Sequence, residues 1–314
     1  MASAAHILLP IFALIAAGFV ARRLGWFGPA AASELNRFVV HLAFPALLFS
    51  AMARTSWHDL DQPALASTFA LSCAAVFGAV LAWRMISGRR LADASIDAIA
   101  ASYPNAGFIG FPLCLLAFGP ASLTAATIVN ILVATVLFGV TCVLMEFGLQ
   151  EEASRLKMVL KVVRGLARNP MIVAPLAGAV VSGLKLNVPG AAGSFLSLLG
   201  GAATPAALVG LGMFLAEERS PARGTARDSM LLMLAKLLMQ PLVAWWFAFR
   251  VFALPVSLGQ IVVMLAALPT GTGPYMLAEH YKRDASLTSR IILLSTAVSL
   301  VSLSVLMTWL HAAH

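Results

Sequence analysis

The chain has 314 residues, 61% hydrophobic and 11% charged, with a mean hydropathy of +0.92. A soluble domain carries about 25% charged residues, so this composition excludes a soluble globular protein and indicates an integral membrane protein. The net charge of +8 contains no basic run longer than two residues, and so gives no sign of a nucleic-acid partner.

About 20 mainly apolar residues span a bilayer, and ten such segments follow one another here. Ala4–Ala21 is the first; no basic residue precedes it, so it reads as a retained helix rather than a cleaved signal. Leu35–Ala53, Gln62–Ile86, Ala94–Phe118 and Ser122–Gly148 complete the first half, the last two parted only by Gly119-Pro120. Leu149–Ala167 reads as a linker helix along the membrane surface, with Leu156, Val159, Leu160 and Val163 on one face. Asn169–Leu186, Gly190–Ala216, Ser229–Val251, Val256–Tyr281 and Leu287–His311 form the second half.

Of the 21 Lys and Arg residues, 17 fall in alternate loops with the linker, while the opposite side has only Arg54, Lys185 and Arg250. The positive-inside rule puts the 17 in the cytoplasm and both termini outside a cytoplasmic (inner) membrane. Cys73, Cys114 and Cys142 all lie in apolar segments without paired spacing. They read as packing residues, with neither a disulfide nor a metal or cofactor site.

The fourth span contains "SYPNAGFIGFP", with Pro104, Asn105, Gly107, Gly110 and Pro112, a poor composition for an unbroken helix. The ninth contains "LPTGTGPYM", with Pro269 and Pro274. Other features recur between the halves: Pro10 and Gly18 against Pro175 and Gly183, "PALL" from Pro45 against "PAAL" from Pro205. Five spans is an odd number, so the second half enters the membrane inverted. The expected fold is all-α: two inverted five-helix repeats, residues 1–148 and 168–314 around a 149–167 linker, with broken helices 4 and 9 crossing near the midplane. That is a pattern of secondary transporters. Broken backbone survives at membrane depth only when buried or facing water. Two breaks that meet aim half-helix N-termini, each partly positive, at one point suited to an anion.

These residues resemble the bacterial auxin efflux carrier family: "LNRFVVHLAFPALLF", "SYPNAGFIGFPL", "NPMIVAPLAG", "TPAALVGLGMFLA" and "AALPTGTGPYMLAEHY" arrive in order on the expected spans. The resemblance covers nearly the whole chain and places it with the bile acid/sodium symporter-like transporters. It implies a scaffold of helices 1, 2, 6 and 7, and a transport domain of helices 3–5 and 8–10. It also implies elevator-type alternating access, a homodimer in the lipid bilayer, and a small organic anion such as malate or malonate. A sodium-coupled carrier and a transport-inactive sensor of the same fold are the alternatives. No HExxH, GxSxG or deep carboxylate pair suggests an enzyme.

Matching the crossover motif places the substrate site on Asn105, with Gly107 and Pro112 beside it, and on Thr270, Gly271 and Thr272. Lys236 is the one Lys or Arg well within a span, with Gln240 four residues on along the same face. Such a charge is a functional candidate, unless its stem snorkels to the surface. Asn130 joins the candidate site, whereas Thr288, Ser295, Ser299 and Ser302 read as helix-packing residues. All thirteen acids stand at or near span ends. His41 is the deep group with an ordinary pKa near physiological pH, and so a candidate proton-sensitive residue.

Overall fold

The computed structural model describes residues 4–55, 61–149, 164, 168–217 and 226–312. Both chain ends and nearly all of the expected linker helix fall outside the described residues. Among those described, the regular elements are all helices: α1 (Ala4–Arg23), α2 (Ala31–Ala53), α3 (Pro63–Ile86), α4 (Leu91–Ala100), α5 (Ala106–Phe118) and α6 (Ser122–Leu149) come first. They continue with α7 (Pro170–Gly183), α8 (Gly190–Leu215), α9 (Ala226–Val251), α10 (Val256–Ala266), α11 (Gly273–His280) and α12 (Ser286–Ala312).

Seven of these are long and apolar enough to cross a bilayer: α1, α2, α3, α6, α8, α9 and α12. The apolar helices α5, α7 and α10 are shorter. The fourth and ninth expected spans are each split, into α4 with α5 and α10 with α11. Gly119 separates α5 from α6 with φ 77° and ψ −177°, a conformation open essentially to glycine alone.

Pro112 was expected at a break, and the structure corrects this: it lies inside α5, just after a wide π turn at Ala106–Gly110. Proline offers no N–H, and its ring collides with the carbonyl four residues back. Widening the preceding turn keeps the helix continuous. Pro45 follows a π turn at Val39–Ala43 in the same way, and Pro241 follows one at Ala235–Met239. In those two turns Phe44 N–H bonds Val39 O, and Gln240 N–H bonds Ala235 O, five residues back.

The helices gather into two compact units. The first contains Met1–Gln62, Phe108–Thr127 and Val163–Glu218. Within it α1 packs along the second half of α8, and α7 along the second half of α2. Glycines make both contacts close: Gly18 lies against the Val209 backbone and Gly178 against the Phe49 backbone, where a methyl group would collide. Small residues of this kind let membrane helices approach.

The second unit contains Pro63–Gly107, Ile128–Val162 and Arg219–His314. In it α3 packs on α4 and on α9, and α9 packs on α10. Arg84, 4% exposed, donates to Asp97 Oδ2 at 2.7 Å and to Asp228 Oδ1 at 2.9 Å. Arg283 holds both carboxylate oxygens of Asp93 at 2.7 Å, and Tyr281 donates to Glu146 Oε1 at 2.7 Å. Asp97 is 2% exposed, so this acid is more deeply enclosed than its place near a span end suggests.

Candidate functional site

Both breaks are explained by backbone chemistry around a proline. Pro104 has no N–H to give Ala100 O, four residues back, and the residue before a proline is driven towards extended conformation. Helix α4 therefore stops at Ala100, and α10 stops at Ala266, three residues before Pro269. The two irregular segments pair with each other in the second unit. Pro104 and Thr270 form an isolated antiparallel bridge, with Asn105 N–H on Pro269 O at 2.8 Å and Gly271 N–H on Tyr103 O at 3.0 Å.

The freed carbonyls can then be accounted for one by one, as buried backbone requires. Thr270 Oγ1 donates to Ala100 O at 2.8 Å, replacing the N–H that Pro104 lacks. Thr270 N–H turns to Ser295 Oγ at 3.1 Å, which leaves Ala266 O to Lys236 Nζ at 2.7 Å. Ala106 N–H bonds Pro104 O, and Ser102 O instead receives Gln240 Nε2 at 3.1 Å. Lys236 and Gln240 are both 0% exposed. Helix α9 thus braces the two broken helices with side chains one turn apart.

Other polar groups stand at the crossover. Thr272 is half-buried at the N-cap of α11 and its side chain makes no capping bond. Gly107, also half-buried, lies in the first turn of α5, where the first N–H groups have no partner within the helix. Asn105 is 2% exposed beside it. Tyr103 is half-buried, its ring edge-on to Phe138 at 6.5 Å between centroids. Gly273 makes room for that ring, since a Cβ there would stand 2.6 Å from Tyr103 Cζ, and Gly271 lies close against it, a Cβ there standing 3.1 Å from Tyr103 Cδ1. Two broken helices thereby bring two N-termini, a threonine hydroxyl, an amide and a phenol together around one backbone crossing.

The expected site residues separate into groups. Asn105, Gly107, Thr270, Gly271 and Thr272 lie at the crossover, and Lys236 and Gln240 lie beneath it, bonded to its carbonyls. Asn130 is buried in α6 just before the π turn at Leu132–Leu137. Pro112 lies further along α5, in the first unit. His41 is exposed on α2 of that unit, with Nδ1 3.0 Å from Arg37 O. The sequence reading missed Tyr103, whose signal was its position between a helix end and Pro104. It also missed the bond from Thr270 N–H to Ser295, a residue expected only to pack.

The profile of the family described as "Membrane transport protein" matches residues 3–307. Similar proteins include a "Putative malonate transporter" of Rhizobium meliloti, 27% identical over 313 residues, covering 97% of this chain and 95% of that one. An "Uncharacterized transporter" of Methanothermobacter thermautotrophicus is 27% identical over 296 residues, 94% of each chain. "Auxin efflux carrier component 8" of Arabidopsis thaliana is 22% identical over 346 residues, 93% of each.

Proposed function

Because the chain belongs to the membrane transport protein family, the auxin efflux carrier family, we propose that it is a secondary transporter of a small organic carboxylate. Malonate is the first substrate to try, since one relative carries that name. The observation that carries the reading is the crossover: two half-helix N-termini, at Gly107 and Thr272, beside a break whose own carbonyls are already occupied. Such termini favour negative charge and supply N–H donors. Thr272 Oγ1, Asn105 and the Tyr103 hydroxyl complete a set of neutral donors suited to a carboxylate.

The proposal extends to ten membrane helices in two inverted repeats. Reciprocal packing within the first unit supports it: Gly18 meets Val209 and Gly178 meets Phe49. Moving on 160 residues from Gly18 gives Gly178, and moving back 160 from Val209 gives Phe49. Exchange of the halves therefore converts one contact into the other. The breaks follow a similar offset, 166 residues from Ala100 to Ala266. Elevator-type transport would move helices 3–5 and 8–10 of the proposed ten, which carry the crossover and its braces, against a scaffold of helices 1, 2, 6 and 7.

The test is transport by the purified protein in proteoliposomes. Malonate, acetate and an aromatic acetate are offered as labelled substrates while current is recorded. Saturable malonate uptake above protein-free liposomes is expected. Failure of every carboxylate to bind or move refutes the reading.

A further inference from the structure

The two broken helices end alike, yet their last carbonyls are treated differently. Ala100 O receives a neutral hydroxyl, Thr270 Oγ1, whereas Ala266 O receives the amine of Lys236. That amine is 0% exposed and stands inside the π turn Ala235–Met239, a local distortion often found at functional positions.

A second buried cation in the same unit gives the comparison. Arg84 is held by two carboxylates, Asp97 and Asp228. Lys236 has none: among the described residues its hydrogen bond is to a carbonyl, and the nearby Gln240 Oε1 accepts from nothing. A permanent buried charge needs a counter-charge and satisfied donors, as Arg84 has. Arginine cannot shed its proton within a protein, but lysine can. The group placed without a carboxylate is thus the one able to become neutral.

The neighbouring ionisable groups do not supply that counter-charge. Helix α3 presents the Cys73 thiol, which accepts from Gln240 Nε2 at 3.2 Å, and further along carries Arg84. Within α9, Arg227 and Asp228 lie about two turns earlier, with Asp228 bound to Arg84. Helix α12 carries Arg290 near its start, and α10 has no ionisable side chain.

We propose that Lys236 is the proton-coupling site of this transporter, binding one proton as the carboxylate seats at the crossover and returning it when the carboxylate leaves. The proton comes from water on the loading side and forms an N–H bond with the amine lone pair. On the far side that bond breaks and the proton returns to water. An anion at the crossover favours the charged amine, and the charged amine strengthens the bond that closes α10. The inference rests on the carboxylate reading for its physiological meaning, but its first measurement does not.

The first measurement omits substrate. Difference titration of detergent-purified wild type against Lys236→Met and Lys236→Arg is expected to reveal one proton per chain exchanged across the neutral range by the wild type alone. A wild type that titrates like both variants overturns the proposal, whatever the protein transports. If neither variant folds, wild-type proteoliposomes that exchange malonate at equal pH must accumulate it against its gradient when the side of entry is made acidic. Their failure to do so overturns the proposal. In samples where calorimetry shows malonate binding, a pH indicator in weak buffer is expected to report proton uptake by wild type and its loss in both variants. Equal uptake in the variants overturns it. Absent malonate binding alongside the difference titration of one proton rejects malonate and keeps the site.

Discussion

Thr270 and Thr272 stand two residues apart in one break, and the fold uses them differently. Thr270 spends its hydroxyl on Ala100 O and its N–H on Ser295, so it belongs to the backbone repair. Thr270→Val keeps the shape and leaves a buried carbonyl unsatisfied, which costs about 1–3 kcal/mol. Thr272 has no such duty, and Thr272→Val is expected to leave stability unchanged. Its loss should instead weaken carboxylate binding: a hydrogen bond to a charged ligand is worth about 1.5–3 kcal/mol, or about 10- to 150-fold in affinity. Asn105→Ala is expected to weaken carboxylate binding in the same way, while the Asn105 backbone N–H keeps its bond to Pro269 O. Melting midpoint and malonate affinity, measured on the same purified samples, check all three. A destabilised Thr272→Val with normal affinity would remove the ligand from this break.

The same two threonines show what a sequence conveys at this scale. Both were visible as polar groups in an apolar span, and so were Lys236 and Gln240. Their division between brace and binding group was not visible. It depends on which carbonyl each proline frees and which side chain arrives from α9 or α12, and those contacts join residues 30 or more positions apart or come from another helix altogether.

Between helices, the enclosed charges of the second unit decide which end of α4 is fixed. Arg84 closes α3, Asp97 lies within α4 and Asp228 opens α9, so one guanidinium ties three helices. Arg84→Met leaves Asp97 enclosed, with Arg89 3.5 Å away as its remaining cation. Removing one partner of a buried pair costs about 3–5 kcal/mol. Denaturant unfolding in detergent should show a loss of that order, and adding Asp97→Asn should recover more than half of it. A loss no larger in the single variant than in the double would mean that the pair contributes little to stability.

The all-helical, apolar character of the chain and the splitting of its fourth and ninth apolar segments were legible in composition, because apolar length and proline are local signals. The π turns before Pro45, Pro112 and Pro241 were not. A proline in a sequence reads as a kink or a break, and at Pro112 it was read as a break. Whether the preceding turn widens to absorb it is decided by packing. Asp97 escaped notice for a related reason: a charge near a span end reads as solvated until the chain turns at Ser87-Gly88 and brings Arg84 alongside.

For the whole chain, the two proposed repeats can be separated from a parallel duplication by one geometric consequence. The loop holding Ala30 joins α1 to α2, and the loop holding Asn187 joins α7 to α8, the corresponding place in the second half. Inverted halves put these loops on opposite faces of the membrane, and parallel halves put them on the same face. The split of basic residues adds the direction, with the Ala30 loop cytoplasmic beside Arg22 and Arg23, and the Asn187 loop outside. Ala30 and Asn187 are both exposed, as is Ser257 at the start of α10, which should lie outside with Asn187. Single cysteines at these positions, in a chain whose half-exposed Cys142 is replaced by Ala, can be treated with a membrane-impermeant maleimide in intact cells. Asn187→Cys and Ser257→Cys are expected to label at once, and Ala30→Cys only after the membrane is permeabilised. The reverse pattern would keep the inverted repeat and reject its orientation. Labelling of Ala30→Cys and Asn187→Cys from the same side would reject the inversion itself, and with it the antiparallel meeting of two equivalent breaks as the origin of the site.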